Sequence, residues 1–310
     1  MRKCLNGVRR VPRMRVGVLI AAAVLAAMAA AAVVAAGARA DARPEVLTAG
    51  NPSGIVFSRG EAGNHAHGQK SPNLIWHNGP VMRSGAAVTP IFWGTSWQSN
   101  AGDKVTGINT FYSGVGSSNY LGTNTEYTGG GGTVSSTVSS STSLFDGSAA
   151  PSHAPSTGDV LAVVARNIGS PRTNGYYPVY SDQPRGHANY CAWHSWGYIG
   201  STLVQFAFFF KLDGDAGCDP GSSVSGQSQG LQALGNVSGH ELSEALTDPH
   251  GDAWYDQSGA ENADKCAWTF GHSYVTLRNG SRWRIQGNWS NNAYNNGGSG
   301  YDGAGCIDGG

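Results

Sequence analysis

Three residues in the second half of the chain have the types and spacing of a metal site. His240 and Glu244 are four residues apart, and Glu241 directly follows the histidine. Residues four apart share one face of an α-helix, so the imidazole and the carboxylate can bind one ion. Glu241 can then act as the general base toward a water molecule that the ion activates. The pattern predicts a metal-dependent hydrolase.

Two acidic residues downstream can complete such a site. Glu261 and Asp264 are three residues apart and precede Cys266. One of them can be the third ligand while the other orients His240 through its second ring nitrogen, and the spacing leaves both assignments open. Three protein ligands and one position open to water are typical of catalytic Zn²⁺. Because Glu244 supplies a carboxylate instead of an imidazole, Ca²⁺ and Mn²⁺ are the alternative ions.

The partner that would stabilise a developing oxyanion is less sharply indicated. His272, His194 and Tyr255 all lie near aromatic-rich segments, and we take His272 as the catalytic candidate. A His-x-x-x-Glu pair also occurs as an ordinary surface pair on a helix. The number of acidic residues nearby, in a chain with only 13% charged residues, favours a functional site instead.

The segment from His240 to Asp248 resembles the zinc helix of thermolysin-like metallopeptidases. In that family an HExxH motif is followed by a glutamate ligand on a second helix. Glu244 stands here in the place of the second histidine, and Asp264 falls nearer than Glu261 to the expected position of the glutamate. The resemblance implies a zinc peptidase in which Glu241 is the base.

A second resemblance extends from about Trp76 to Cys306. Trp76–Met82, Val88–Trp93, Cys191–His194 and the segments AWYD and ENADKCAW resemble secreted proteins of the phosphate-induced (EXORDIUM-like) family. That family is associated with cell-wall and growth-related roles and has no established catalytic mechanism. It implies an alternative function, a non-catalytic extracellular binding protein with a structural metal, whose tryptophans stack on sugar rings or peptides.

The N-terminus has the pattern of a secretion signal. Six basic residues precede an apolar run from Val16 to Ala36, and Ala38-Arg39-Ala40 offers small residues for cleavage. We expect residues 1–40 to be a signal peptide and the protein to be secreted, without stable membrane insertion. The run is also long enough for an uncleaved anchor, which is the alternative.

The mature chain is expected to be acidic and disulfide-bonded. Loss of residues 1–40 removes 7 of 20 Lys and Arg, and the remaining 13 face 20 Asp and Glu, a net charge of −7. Such a charge argues against nucleic-acid binding. Four cysteines remain, and an exported chain would pair them in one of three ways, of which we favour Cys191 with Cys218 and Cys266 with Cys306.

The hydrophobic pattern predicts a single α+β domain over residues 73–310, after a poorly ordered arm over residues 41–72. Asp159–Ala165 and Leu203–Phe210 are short apolar runs typical of buried strands, so we expect a central sheet with the metal-site helix packed on it. Asn279-Gly280 between alternating segments predicts a C-terminal β-hairpin. We expect a monomer whose substrate is a peptide or a cell-wall polymer.

Overall fold

The structure is a computed structural model that describes residues 47–62, 73–221 and 224–310. A nine-stranded mixed sheet forms its centre. The strands are β1 (Leu47–Ala49), β2 (Ser53–Phe57), β3 (Ile75–Trp76), β4 (Ala86–Val88), β5 (Ile91–Trp93), β6 (Thr128–Gly129), β7 (Gly132–Thr133), β8 (Val138–Ser140), β9 (Leu144–Asp146), β10 (Gly175–Pro184), β11 (Tyr190–Ile199), β12 (Thr202–Lys211), β13 (Trp254–Tyr255), β14 (Val275–Thr276), β15 (Arg282–Trp283), β16 (Asn288–Trp289) and β17 (Cys306–Ile307).

Seven α-helices accompany these strands in the described ranges. They are α1 (Arg59–Ala62), α2 (Trp97–Asn100), α3 (Lys104–Val115), α4 (Asn119–Gly122), α5 (Thr157–Asn167), α6 (Gln229–Thr247) and α7 (Asn291–Asn295). Only α3, α5 and α6 exceed two turns, and these three cover the sheet or one another.

The long strands β10, β11 and β12 form the middle of the sheet. β11 and β12 are antiparallel with His194 opposite Ala207, whereas β12 and β10 are parallel. β4 and β5 continue the sheet beside β10, followed by β8 and β9. On the other side β1 and β2 both pair with β11 in antiparallel fashion, so this edge borders the strand that carries His194.

The helices α5 and α6 pack on opposite faces of the sheet. Gly197 in β11 lies against Leu161 of α5, and Tyr180 in β10 shares a 2.7 Å hydrogen bond with Ser238 of α6. Side chains alternate along a strand, so His194, three residues before Gly197, points to the α6 face. The imidazole of His194 therefore lies on the side of the sheet that is covered by α6, the helix that carries His240.

The predicted fold class is confirmed. The chain combines helices with a central mixed sheet, α6 packs on that sheet, and β14 and β15 form a hairpin around Asn279-Gly280. The described residues from Leu47 to Gly310 belong to one compact unit. No helix of the described segments is long and apolar enough to cross a membrane.

The expectation of a poorly ordered arm is wrong for residues 47–62. β1 and β2 belong to the central sheet, where Leu47 lies opposite Ile199 and Ser53 opposite His194. This Gly- and Ser-containing segment shows little periodicity, but pairing with β11 satisfies its backbone groups. The domain therefore begins before residue 73. Residues 41–46 and 63–72, like the predicted signal peptide, lie outside the described residues.

The segment Asp159–Ala165 is a helix rather than the predicted buried strand. It lies within α5, which begins with a capping box in which Ser156 and Asp159 exchange hydrogen bonds. A short apolar run does not distinguish a strand from a buried helix, and the cap decides in favour of the helix. The strand expected at Leu203–Phe210 is confirmed as β12.

Both favoured cysteine pairings are present. Cys191 is bonded to Cys218 and Cys266 to Cys306, with Cα–Cα distances of 5.9 Å and 5.7 Å. Disulfides persist in oxidising compartments, so the protein has the chemistry of one that folds outside the reducing cytosol. The second bond joins the C-terminal tail to the segment that contains Glu261 and Asp264.

Candidate metal centre

Helix α6 carries three of the predicted site residues into the interior. Ser228 caps its first turn by accepting a hydrogen bond from the Leu231 N–H at 3.2 Å, and the helix ends just before Pro249. Every residue from Gly230 to Thr247 is buried. Gly239 allows this close packing, because a Cβ there would lie only 3.0 Å from the Tyr120 hydroxyl. His240, Glu241 and Glu244 are therefore fixed in a rigid, water-poor setting.

The segment after α6 is clamped so that its two acidic residues face the helix. The carboxylate of Asp256 accepts a hydrogen bond from Ser258 N and forms a buried 3.0 Å ion pair with Lys265. The Lys265 ammonium also lies 4.3 Å from the centre of the Trp289 ring. Together with the disulfide of Cys266, these contacts position Glu261 and Asp264.

The structure brings together six titratable side chains, which we call the acid–imidazole cluster. Its members are His194, His240, Glu241, Glu244, Glu261 and Asp264. Candidate ligand atoms of His194, Glu241 and Glu244 all lie within 4.8 Å of one another. Those of His240, Glu244 and Asp264 form a second group of the same size. Glu244 belongs to both groups and each histidine to one.

The two oxygens of Glu244 face different neighbours. Oε1 lies 3.0 Å from His240 Nε2 and accepts a 2.9 Å hydrogen bond from the backbone N–H of Asp264. Oε2 lies 3.9 Å from His194 Nε2, and the same nitrogen is 3.3 Å from Oε2 of Glu261. The carboxylate of Glu244 thus separates a side facing His240 from a side facing His194.

Several buried atoms of the cluster have no hydrogen-bond partner. They are both ring nitrogens of His194, Nε2 of His240, both carboxylate oxygens of Glu241, and Oε2 of Glu244 and of Glu261. Burial of an unpaired polar group costs about 1–3 kcal/mol, more for a charged group. The convergence of so many unpaired nitrogen and oxygen atoms is typical of a site that binds a cation.

Strand β2 packs directly against this site. Gly54 has a φ of +50°, and a Cβ built on it would lie 1.9 Å from Glu244 Oε2 and 2.4 Å from the His194 ring. A residue larger than glycine would therefore collide with the carboxylate and the imidazole. The absence of a side chain at this position lets the β2 backbone approach the cluster closely.

A cleft of about 340 Å³ opens onto the cluster. Gly54 and its neighbours in β2 line this cleft, as does Tyr255, whose ring stacks on that of His77 with 3.5 Å between the ring centres. Glu261 and Asp264 also line the cleft. A substrate in this cleft would meet the acidic side of the cluster.

Burial dominates the acid–base properties of the carboxylates. It raises the pKa of Glu244 to about 7, and the neighbouring Asp264 adds to the effect while His240 opposes it. Burial also raises the pKa of Glu241 and of Glu261 well above their usual range, and Glu244 adds to both shifts. At the rim, burial raises the pKa of Asp248 to about 6. Without a cation the cluster therefore retains protons near neutral pH.

His194 is uncharged in this setting. Burial lowers its pKa to about 3, and the proximity of His240 contributes in the same direction. A neutral imidazole offers a lone pair, which is the form that binds a metal ion.

We expect the metal-free protein to lose stability as the pH rises from about 4.5 to about 7. The folded protein holds a proton on Glu244 up to about pH 7, whereas the unfolded chain releases it near the ordinary value of 4.5. In this window the folded state binds more protons, so stability falls with pH, by about 3 kcal/mol for this group. Thermal unfolding after chelation measures the trend.

The control for this prediction is the same titration with a saturating divalent ion. The ion replaces the protons as the partner of the carboxylates, so the decline should disappear. A metal-free protein whose melting temperature rises between pH 4.5 and pH 7 would contradict the assignment of these shifts.

His272 does not join either ligand group. Its side chain is half exposed, and its Nδ1 lies 2.8 Å from Oδ1 of Asp308 in the C-terminal tail. The segment that precedes β14 therefore places His272 beside the tail. His194 and Tyr255, the other two candidates for an electrophilic partner, lie in the cluster and in the cleft wall respectively.

Sequence reasoning missed the position of His194 relative to α6. The residue is 46 positions before His240, and only the pairing of β11 within the sheet places it under the helix. Gly54 was missed as well, because it lies in the segment expected to be poorly ordered. A Cys-Ala-Trp-His segment within an apolar stretch was the available signal for His194.

Comparison with known proteins does not identify a family. No family model, no curated protein and no solved structure matches the chain. The resemblances to thermolysin-like peptidases and to the EXORDIUM-like family therefore stay predictions.

Proposed function

We propose that the protein is a metal-dependent hydrolase that acts outside the cytosol on peptide bonds of a protein or a cell-wall polymer. One observation carries this proposal: buried imidazole and carboxylate atoms without hydrogen-bond partners converge beside an open cleft. A purely structural cluster has its polar atoms paired. The two disulfides and the signal-like N-terminus support secretion.

The donor set fits a small divalent ion. Ligand atoms about 2.0–2.2 Å from a tetrahedral ion lie roughly 3.3–3.6 Å from one another. The separations at Glu244 and Glu261, from 3.0 Å to 3.9 Å, bracket that spacing. Imidazole among the donors favours Zn²⁺ over Ca²⁺, which prefers oxygen ligands, and Mn²⁺ is an alternative. A bound ion of this kind polarises a carbonyl group and lowers the pKa of water.

Glu241 has the position of a general base in this proposal. It is fully buried, and its carboxylate lies within 4.8 Å of candidate ligand atoms of both His194 and Glu244. Burial raises the pKa of its carboxyl group, which makes the carboxylate a stronger proton acceptor. Glu241 would take the proton of the attacking water and deliver it to the leaving amine.

The cleft supports an extended substrate. β2 is paired only with β11 among the described strands, so it is an edge of the sheet, and its residues Ser53–Ile55 line the cleft. An extended peptide can align along such an edge through main-chain hydrogen bonds. These features favour a polymer substrate with a peptide backbone.

Hydrolysis with a chelator control tests the proposal. We expect protein loaded with Zn²⁺ to cleave members of a peptide library or peptide-containing cell-wall fragments, and chelation to abolish cleavage until the ion is restored. Cleavage that is unaffected by chelation contradicts the proposal, as does a loaded protein that cleaves no substrate in either set.

The alternative of a binding protein that uses exposed tryptophans receives little support. Of the eight tryptophans from Trp93 to Trp289, five are buried and three are partly buried. Trp193, for example, packs on Phe206 and Phe208 in the core. Among the described tryptophans, only Trp76 in β3 is well exposed. The tryptophans therefore mainly stabilise the fold.

A further inference from the structure

We propose that the imidazole ligand of the ion is His194 from strand β11, and that His240 is a positioning residue that holds Glu244. This inference rests on the proposed function, because it concerns the ion of that same site. It reverses the expectation from the helix motif, in which His240 binds the ion. The observations that carry it are the different hydrogen-bond environments of the two rings and the atoms that face them.

The environment of His240 places its ring proton on Nε2. Gln286 Nε2 lies 2.8 Å from His240 Nδ1 and 2.9 Å from the carbonyl oxygen of Ala263. The same carboxamide accepts a hydrogen bond from the backbone N–H of Trp268 through Oε1. If the Gln286 carboxamide were flipped, its oxygen would face the carbonyl oxygen of Ala263 and its NH₂ group would face the N–H of Trp268. Gln286 therefore donates to Nδ1, so the neutral ring carries its proton on Nε2.

His240 Nε2, which carries this proton, contacts two carboxylates without hydrogen-bond geometry. Oε1 of Glu244 lies 3.0 Å away and Oδ1 of Asp264 3.4 Å away. A protonated nitrogen has no lone pair for an ion. His240 thus fixes Oε1 of Glu244, together with the N–H of Asp264, and leaves Oε2 free.

His194 differs from His240 in its hydrogen bonding. Its side chain is 1% exposed, and neither ring nitrogen has a hydrogen-bond partner, whereas Nδ1 of His240 is paired with Gln286. Nε2 faces Oε2 of Glu261 at 3.3 Å and the free Oε2 of Glu244 at 3.9 Å. The backbone of Gly54 packs closely on this same oxygen and this same ring. An ion between Nε2 and the two carboxylate oxygens gives partners to three otherwise unpaired atoms.

This assignment also gives different roles to Glu261 and Asp264, which the sequence left as alternative third ligands. Glu261 lies on the His194 side and becomes the third ligand. Asp264 lies on the His240 side and donates its backbone N–H to Glu244, so it holds the ligand in place. Glu241 remains the base, close to both His194 and Glu244.

Zinc affinity of matched histidine variants tests the inference. The variants to compare with the wild-type full-length protein are His194→Ala, His240→Ala and, as a control at an exposed position, His187→Ala. Zn²⁺ affinity is measured by competition with a chelating dye and by the Zn²⁺-induced shift of the melting temperature. We expect His194→Ala to weaken binding by more than about 100-fold. His240→Ala should weaken it by about 10- to 100-fold, the range for residues that orient a ligand. The control should bind like wild type.

Other outcomes overturn the inference in distinguishable ways. Tight binding in His194→Ala with loss of binding in His240→Ala returns the ligand role to His240 and leaves the proposed function standing. Equal losses in both variants also overturn the distinction. A wild-type protein that binds no ion at all ends both the inference and the proposed function.

A glycine pair tests the same site without removing any ligand. Gly54→Ala places a methyl group against Glu244 Oε2, whereas Gly186 has a similar φ of +57° and a Cβ there would meet nothing within 4 Å. Both substitutions carry the strain of a left-handed backbone. We expect only Gly54→Ala to weaken Zn²⁺ binding, by at least about 10-fold, since its methyl group must displace Glu244 Oε2 and the His194 ring, the proposed ligands. Equal affinities in the two variants overturn this choice of ligands.

Discussion

Replacement of Glu241 by glutamine is expected to reduce hydrolysis by about 100-fold or more while the protein still folds and binds its ion. General bases contribute roughly 10²- to 10⁴-fold to rate, and an amide cannot accept the proton. The substitution keeps the volume of a fully buried side chain, so it creates no cavity. Because burial disfavours the charged carboxylate at this position, the neutral amide should not destabilise the fold.

The measurement combines turnover with Zn²⁺ content of the same sample. Glu61→Gln, a carboxylate-to-amide change at an exposed position of α1, is the matched control and should behave like wild type. Full activity in Glu241→Gln would remove the residue from the proton-transfer role. Loss of the ion in this variant would instead make Glu241 a ligand.

Replacement of Glu244 by glutamine is expected to abolish ion-dependent stabilisation. Glu244 is the only residue that belongs to both candidate ligand groups of the described chain, so every arrangement of the ion requires its carboxylate. An ion at 1,000 times its dissociation constant stabilises a protein by about 4 kcal/mol, and the variant should lose this gain. The rise in melting temperature on addition of Zn²⁺ measures the effect.

The same variant should be at least as stable as wild type when no ion is present. Burial raises the pKa of Glu244 to about 7, so above that pH the wild-type protein contains a buried charge that the amide lacks. Chelated samples at pH 8 make this comparison. A Glu244→Gln protein that keeps the full Zn²⁺-induced shift would exclude the whole cluster as the metal site.

Local sequence patterns were sufficient for features that depend on neighbouring residues. The four-residue spacing of His240 and Glu244 predicted the helix now seen as α6, and Asn279-Gly280 predicted the hairpin of β14 and β15. Helix periodicity and turn chemistry act over a few residues, so they can be read from the chain. The choice between strand and helix at Asp159–Ala165 failed because both suit a short apolar run.

The amino-acid sequence by itself determined that His240, Glu241 and Glu244 share one face of a helix and that two acidic residues follow. Only the tertiary structure decided what faces them. The pairing of β11 brings His194 beneath α6, and the pairing of β2 brings Gly54 against Glu244. Contacts between residues separated by 46 to 190 positions depend on sheet register and packing, which no local pattern encodes.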